Sequence, residues 1–282
     1  MDGHATQSIL TLRYSFRSAS PRAGRQDRIG PVDAIVQALT EQHRELDDVL
    51  AGLDADCWAR PVPACPGWSV ADVVLHLAQT DELVVASLDG GFPAAAARIT
   101  GEPVDGTVDD QVGVMVERER GAPGPEVHAR WRAAASAVRG LFAESDPRRP
   151  MPWVVTDLPA RTMATTRLAE TWIHTHDVAE AVGAALVPGE RLRHIARLAV
   201  RTVPYAFTRA GLDPPAGPVA ARLTAPDGGT WQIGDGNATT TVLGPALDFC
   251  LVAARRLDPA ASGLTAEGPD ADEVLRLVRT YA

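Results

Sequence analysis

The segment RLAETWIHTHD, Arg167 to Asp177, restricts the fold of this chain more than any other stretch. Its apolar spacing is that of an amphipathic helix, yet Glu170, His174, His176 and Asp177 crowd into eight residues of it. A helix turns about 100° per residue, so Glu170 and His174, one turn apart, point the same way, and Asp177 returns to within about 20° of Glu170. Met163, Arg167 and Ala181 share that side, whereas His176 projects roughly opposite His174. A carboxylate and an imidazole directed into a helical bundle are each costly to bury without a partner. The plainer alternative, a Glu-His pair on a solvated face, is common and contributes roughly a few tenths of a kcal/mol.

A divalent cation would satisfy both groups, since a Glu oxygen and a His nitrogen one turn apart can bond one ion at about 2.0 to 2.2 Å. One helix supplies two ligands, so a third must come from elsewhere. The segment SVADVVLHLAQTDEL offers His76, beside the apolar stripe Val70, Val73, Val74 and Leu77 and near Asp72 and Thr80. Two histidines and one glutamate leave coordination positions open, as catalytic rather than structural sites do. Asp81 and Asp177 are candidates to orient a ligand imidazole or to act as a general base, against the plainer reading as exposed helix charges. Arg167 could pair with Glu170 or with a substrate carboxylate. His43, on the apolar stripe of the first helix, reads as a satisfied core histidine, and Trp68, Trp153 and Trp172 as core aromatics. Cys250 reads as an inert buried thiol, while Cys57 and Cys65 flank a loop with no assigned role.

Around this segment the chain reads as helices followed by a mixed region. Residues 1–30 lack periodicity and are expected to form a disordered leader. From Pro31 the spacing predicts a first helix, and Ser69 with Asp72 forms a capping signal for a second over Val70 to about Leu88. A Gly- and Pro-marked stretch to about Pro125 is expected to be irregular in part, before a third helix around Val127–Phe142, a fourth over 162–186 and a fifth over 190–211. Beyond it, alternation around Asp227-Gly228-Gly229 predicts two or three antiparallel strands, then a helix at PALDFCLVAARRL, a short strand and a last helix from Asp270. The expected class is α+β: a helical bundle over 31–212 and a small α/β domain over 213–282.

Bulk composition narrows the partners. In 282 residues with a formal charge of −9, a nucleic-acid or anionic-membrane surface is disfavoured and a small-molecule substrate fits better. The three cysteines show no CxxC spacing, which argues against a disulfide framework and for a reducing cytoplasm. No run is long enough to span a bilayer. Monomer and homodimer both remain open.

The quoted residues also carry a resemblance. PGWSVADVVLHLAQTDEL, ETWIHTHDVAEAVG, RLRHIARLAVRT and GPALDFCLVAARR together resemble the DinB-like mycothiol-dependent maleylpyruvate isomerase group, and within it an actinobacterial metal-binding family of largely unassigned activity. The likeness extends over about Val32 to Tyr281. It implies a DinB-like four-helix bundle with a sterol-carrier-like C-terminal domain, metal ligands at His76, Glu170 and His174, zinc as the first-choice ion with iron or nickel suiting the same donors, and mycothiol as a cosubstrate. The activity implied is that of an isomerase or thiol transferase, the ion acting as a Lewis acid in a pocket roofed by the C-terminal domain. A thiol-independent metalloenzyme of specialised metabolism and a noncatalytic carrier with a structural metal are the other two readings, and three protein ligands rather than four count against the last.

Overall fold

The computed structural model describes residues 31–89, 91–100, 108–153 and 156–280, so the expected leader lies outside the described residues. Four long helices build the first part: α1 (Pro31–Leu50), α3 (Val70–Ala86), α6 (Gly124–Glu144) and α7 (Ala160–Val182), with the one-turn α2 (Ala55–Trp58) before α3. α7 packs against α1 and α3, and α6 packs against the same two from the other side, which closes a four-helix bundle. The predicted start of α3 is present in full: the Ser69 side chain accepts from the Asp72 amide while the Asp72 carboxylate accepts from the Ser69 amide. Almost every side chain of α3 is buried, including His76, Gln79, Thr80 and Asp81, so this helix has no solvated face on which polar residues could be spent.

The stretch expected to be partly irregular holds two short helices, α4 (Gly91–Thr100) and α5 (Val108–Glu119). Pro93 falls in the first turn of α4, where its missing N–H costs nothing, so its presence there did not break the helix. A two-residue ribbon, β1 (Pro150–Met151) with β2 (Leu158–Pro159), leads into α7. α7 ends at Gly183, whose φ of +74° supplies the left-handed cap. α8 (Leu192–Arg209) follows.

The C-terminal part is a four-stranded sheet in the order β4-β3-β5-β6. β3 (Val219–Thr224) and β4 (Thr230–Ile233) form the predicted antiparallel hairpin, but β5 (Thr240–Pro245) runs parallel to β3, which corrects the all-antiparallel expectation. Alternation reveals which residues share a face, not which strand lies beside which. The reason is local: after β4 the chain crosses the end of β3 at Gly234, where φ is +91° and a Cβ would stand 2.8 Å from the Val219 carbonyl oxygen. β6 (Thr265–Glu267) pairs antiparallel to β5, and α9 (Ala246–Ala253) and α10 (Ala271–Leu277) complete the layer. α8 contacts α7 as well as α9, α10, β3 and β4. One buried apolar cluster therefore runs from Met163 and Leu168 through Leu192 and Ile195 to Leu223, Trp231 and Phe249. Among the described residues no helix is long and apolar enough to cross a membrane.

Candidate metal centre

α7 and α3 run antiparallel, and their facing residues bring the sequence-selected groups together. His76 Nε2 lies 2.8 Å from Glu170 Oε1, and His174 Nε2 lies 3.5 Å from the same oxygen. The two imidazole rings meet edge to face with centroids 4.9 Å apart. One donor atom from each of His76, Glu170 and His174 falls within 4.8 Å of the others. Both histidines are buried, whereas the Glu170 side chain is 25 % exposed and marks the side on which the cluster opens.

Behind His174 stands a second layer. Its Nδ1 donates to Asp177 Oδ2 at 2.9 Å, so a neutral ring would turn its Nε2 lone pair toward Glu170, whereas the imidazolium donates there. Asp177, 1 % exposed, also takes both arms of Arg256: Nε donates to Oδ1 at 2.7 Å and Nη2 to Oδ2 at 2.8 Å. The Cys65 thiol donates to the same Oδ2 at 3.5 Å. Burial alone would push the Asp177 carboxyl up, but Arg256 and His174 outweigh it and hold it at about 2. Burial likewise pushes Glu170 up, and the hydrogen bonds from His174 and His76 prevail to hold it well below the usual carboxylate range. Burial lowers His76 despite Glu170, whereas at His174 the contacts with Asp177, Cys65 and Glu170 overcome burial and hold the imidazolium form well above the usual histidine value.

Those directions test the fit of a cation. With His174 Nδ1 donating to Asp177, positive charge must lie between its Nε2 and the Glu170 oxygen, since two bare acceptors would otherwise face each other. A proton on Nε2 meets that demand in the ion-free chain, which is why the contacts of His174 favour its imidazolium form. A divalent ion meets it with three donors of the types that bind zinc, iron or nickel.

Arg167 does not reach Glu170. It pairs instead with Asp81 on α3, Nε donating to Oδ1 at 2.9 Å, while Nη2 donates to Thr80 Oγ1 at 2.9 Å. Asp81 is fully buried rather than an exposed charge. His43 is the buried histidine expected, its Nδ1 accepting from Arg139 Nη1 at 2.6 Å. Trp172 is buried and Trp153 partly so, but Trp68 is a half-buried neighbour of the site, its ring centroid 5.3 Å from that of His76. Cys65 and Arg256 were the residues sequence reasoning left without a role. No spacing in the sequence points to Arg256; in the structure the chain leaves α9 through Arg255 in a left-handed conformation at φ 61°, an uncommon state for a side-chain-bearing residue.

Residues 39–179 match the family model described as the mycothiol maleylpyruvate isomerase N-terminal domain. The chain belongs to this family. Uncharacterized proteins from two strains of Mycobacterium tuberculosis are each 36 % identical to it over 257 residues, covering 90 % of this chain and 96 % of theirs. Crystal structures of the mycothiol-dependent maleylpyruvate isomerase and of one of its histidine-to-alanine mutants match with TM-scores of 0.54 and 0.56. Each match covers 86 % of this chain and 96 % of the other at 16 % identity, and so shows a shared fold of helices and a small sheet.

Proposed function

We propose that His76, Glu170 and His174 hold one divalent cation, zinc before iron or nickel, in an enzyme of the isomerase or thiol-transferase type that acts on a small molecule with mycothiol as cosubstrate. The observation that carries this reading is the convergence of three donor atoms within 4.8 Å, backed by a carboxylate that fixes the tautomer of one of them. When bound, the cation supplies Lewis acidity toward a carbonyl or a thiol. The chain's own groups do the rest. Asp177 keeps one proton on His174 Nδ1, so the Nε2 proton is the one a cation would displace. The Trp68 ring packs at a tilt beside the buried His76 ring, while the exposed edge of Glu170 leaves the approach open. Family membership supports the thiol, since a likeness of fold does not transfer the substrate.

The thiol is tested by loading the chain with cobalt and titrating mycothiol. A thiolate-to-cobalt charge-transfer band that appears with mycothiol and not with its S-methyl derivative is expected. A spectrum unchanged by saturating mycothiol would contradict thiol use and leave a metalloenzyme that works without it.

A further inference from the structure

The buried pair Asp81–Arg167 is unexplained by the ligands themselves. Asp81 lies five residues after His76 on α3, and Arg167 three residues before Glu170 on α7. The contacts His76–Glu170 and Asp81–Arg167 are therefore neighbouring rungs across one antiparallel helix pair. Together with Arg167 to Thr80, they are the polar side-chain links between α3 and α7 among the described residues.

A charged pair removed from water is a poor way to strengthen such a contact, because desolvation offsets the attraction and an apolar pair of similar size often does as well or better. This pair is poorer than most: Asp81 Oδ2 is buried with no hydrogen-bond partner among the described residues. What it supplies is direction. A guanidinium that donates to a carboxylate and to a hydroxyl at once fixes spacing and angle, which apolar contact does not. On its other flank α7 is already registered to α1, with Gln42 Nε2 donating to Thr175 Oγ1 at 2.9 Å and the His43 ring 3.5 Å from Thr171. The α3 side, which brings the third ligand, depends on Arg167.

We infer that Asp81 and Arg167 are positioning residues, which hold His76 at the spacing from Glu170 and His174 that one cation requires; the inference rests on the metal-site reading above. The test compares wild type with the double variant Asp81→Leu/Arg167→Met, which removes both charges together and so avoids leaving one of them buried alone. Cobalt affinity is measured by competition with a chelator, the visible spectrum of the loaded protein is recorded, and the melting temperature is taken without metal. The double variant is expected to melt near wild type yet bind cobalt about 10- to 100-fold more weakly, with an altered visible band. Equal affinity and an unchanged band would show the pair to be merely structural and overturn the inference. Should the double variant not fold, Arg167→Lys, which keeps the charge without the planar fork, takes its place: weakened affinity supports the clamp, and wild-type affinity overturns it. A wild-type chain that binds no cobalt sinks the metal-site reading and the clamp together, whereas binding by wild type and variants alike sinks the clamp alone.

Discussion

Acidification tests the buried polar layer between α1, α6 and α7 without involving metal. His43 is 3 % exposed, and burial, followed by the Arg139 and Arg167 charges, lowers it from an ordinary value of 6.5 to about 3. Its Nδ1 accepts from Arg139, so a second proton has no place there. The folded chain therefore keeps His43 neutral while the unfolded chain protonates it below about pH 6.5, and the unfolded state binds more protons across that window. The stability contributed by the neutral ring is fully present above pH 6.5 and is lost as pH falls toward 3. With those two values, moving from pH 7 to pH 5 removes about 2 kcal/mol through this residue alone. His76, His176 and His194 are also lowered and add losses of the same sign, so the comparison must be differential. Urea unfolding of chelator-treated wild type and His43→Gln at pH 7, 6 and 5 isolates the residue. The variant is expected to start less stable and to lose about 2 kcal/mol less than wild type over the range. Parallel pH profiles would mean that His43 titrates alike in the folded and unfolded chain, contrary to its burial beside Arg139.

Asp177→Asn should weaken metal binding about 10- to 100-fold, because an amide cannot accept from His174 and both arms of Arg256 as the carboxylate does; isothermal titration with zinc that gives the wild-type affinity would argue against the role assigned to that carboxylate. Gly124→Ala should lower the melting temperature although alanine is the better helix former, since its Cβ would stand 2.2 Å from the Trp58 ring. Overpacking of that kind costs about 1 to 3 kcal/mol, and a variant at least as stable as wild type would contradict the close approach.

The parts of this protein legible in its sequence are those set within one element. Helical spacing placed Glu170, His174 and Asp177 on one face of α7, and the Ser69–Asp72 cap located the start of α3. His76 was legible as a histidine on an apolar helix that could complete the set. Relations between elements were not. Arg167 sits on the same face as Glu170, and only the packing of α3 against α7 decides that it meets Asp81 instead. Arg256 is 79 residues from Asp177 and reaches it through the turn at Arg255, while Cys65 arrives on a loop whose path no periodicity encodes. The direction of β5 depends on Gly234 crossing a strand end, which alternation cannot register.

If one cation binds between α3 and α7, metal content per chain reports it. Elemental analysis of the protein purified without chelator, or reloaded with zinc and desalted, should give about one equivalent for wild type, the stoichiometry of a single three-ligand centre. It should fall to near zero for His174→Ala and Glu170→Gln. Retention of a full equivalent by either variant would contradict the account, as would a folded wild type that holds no metal under saturating zinc.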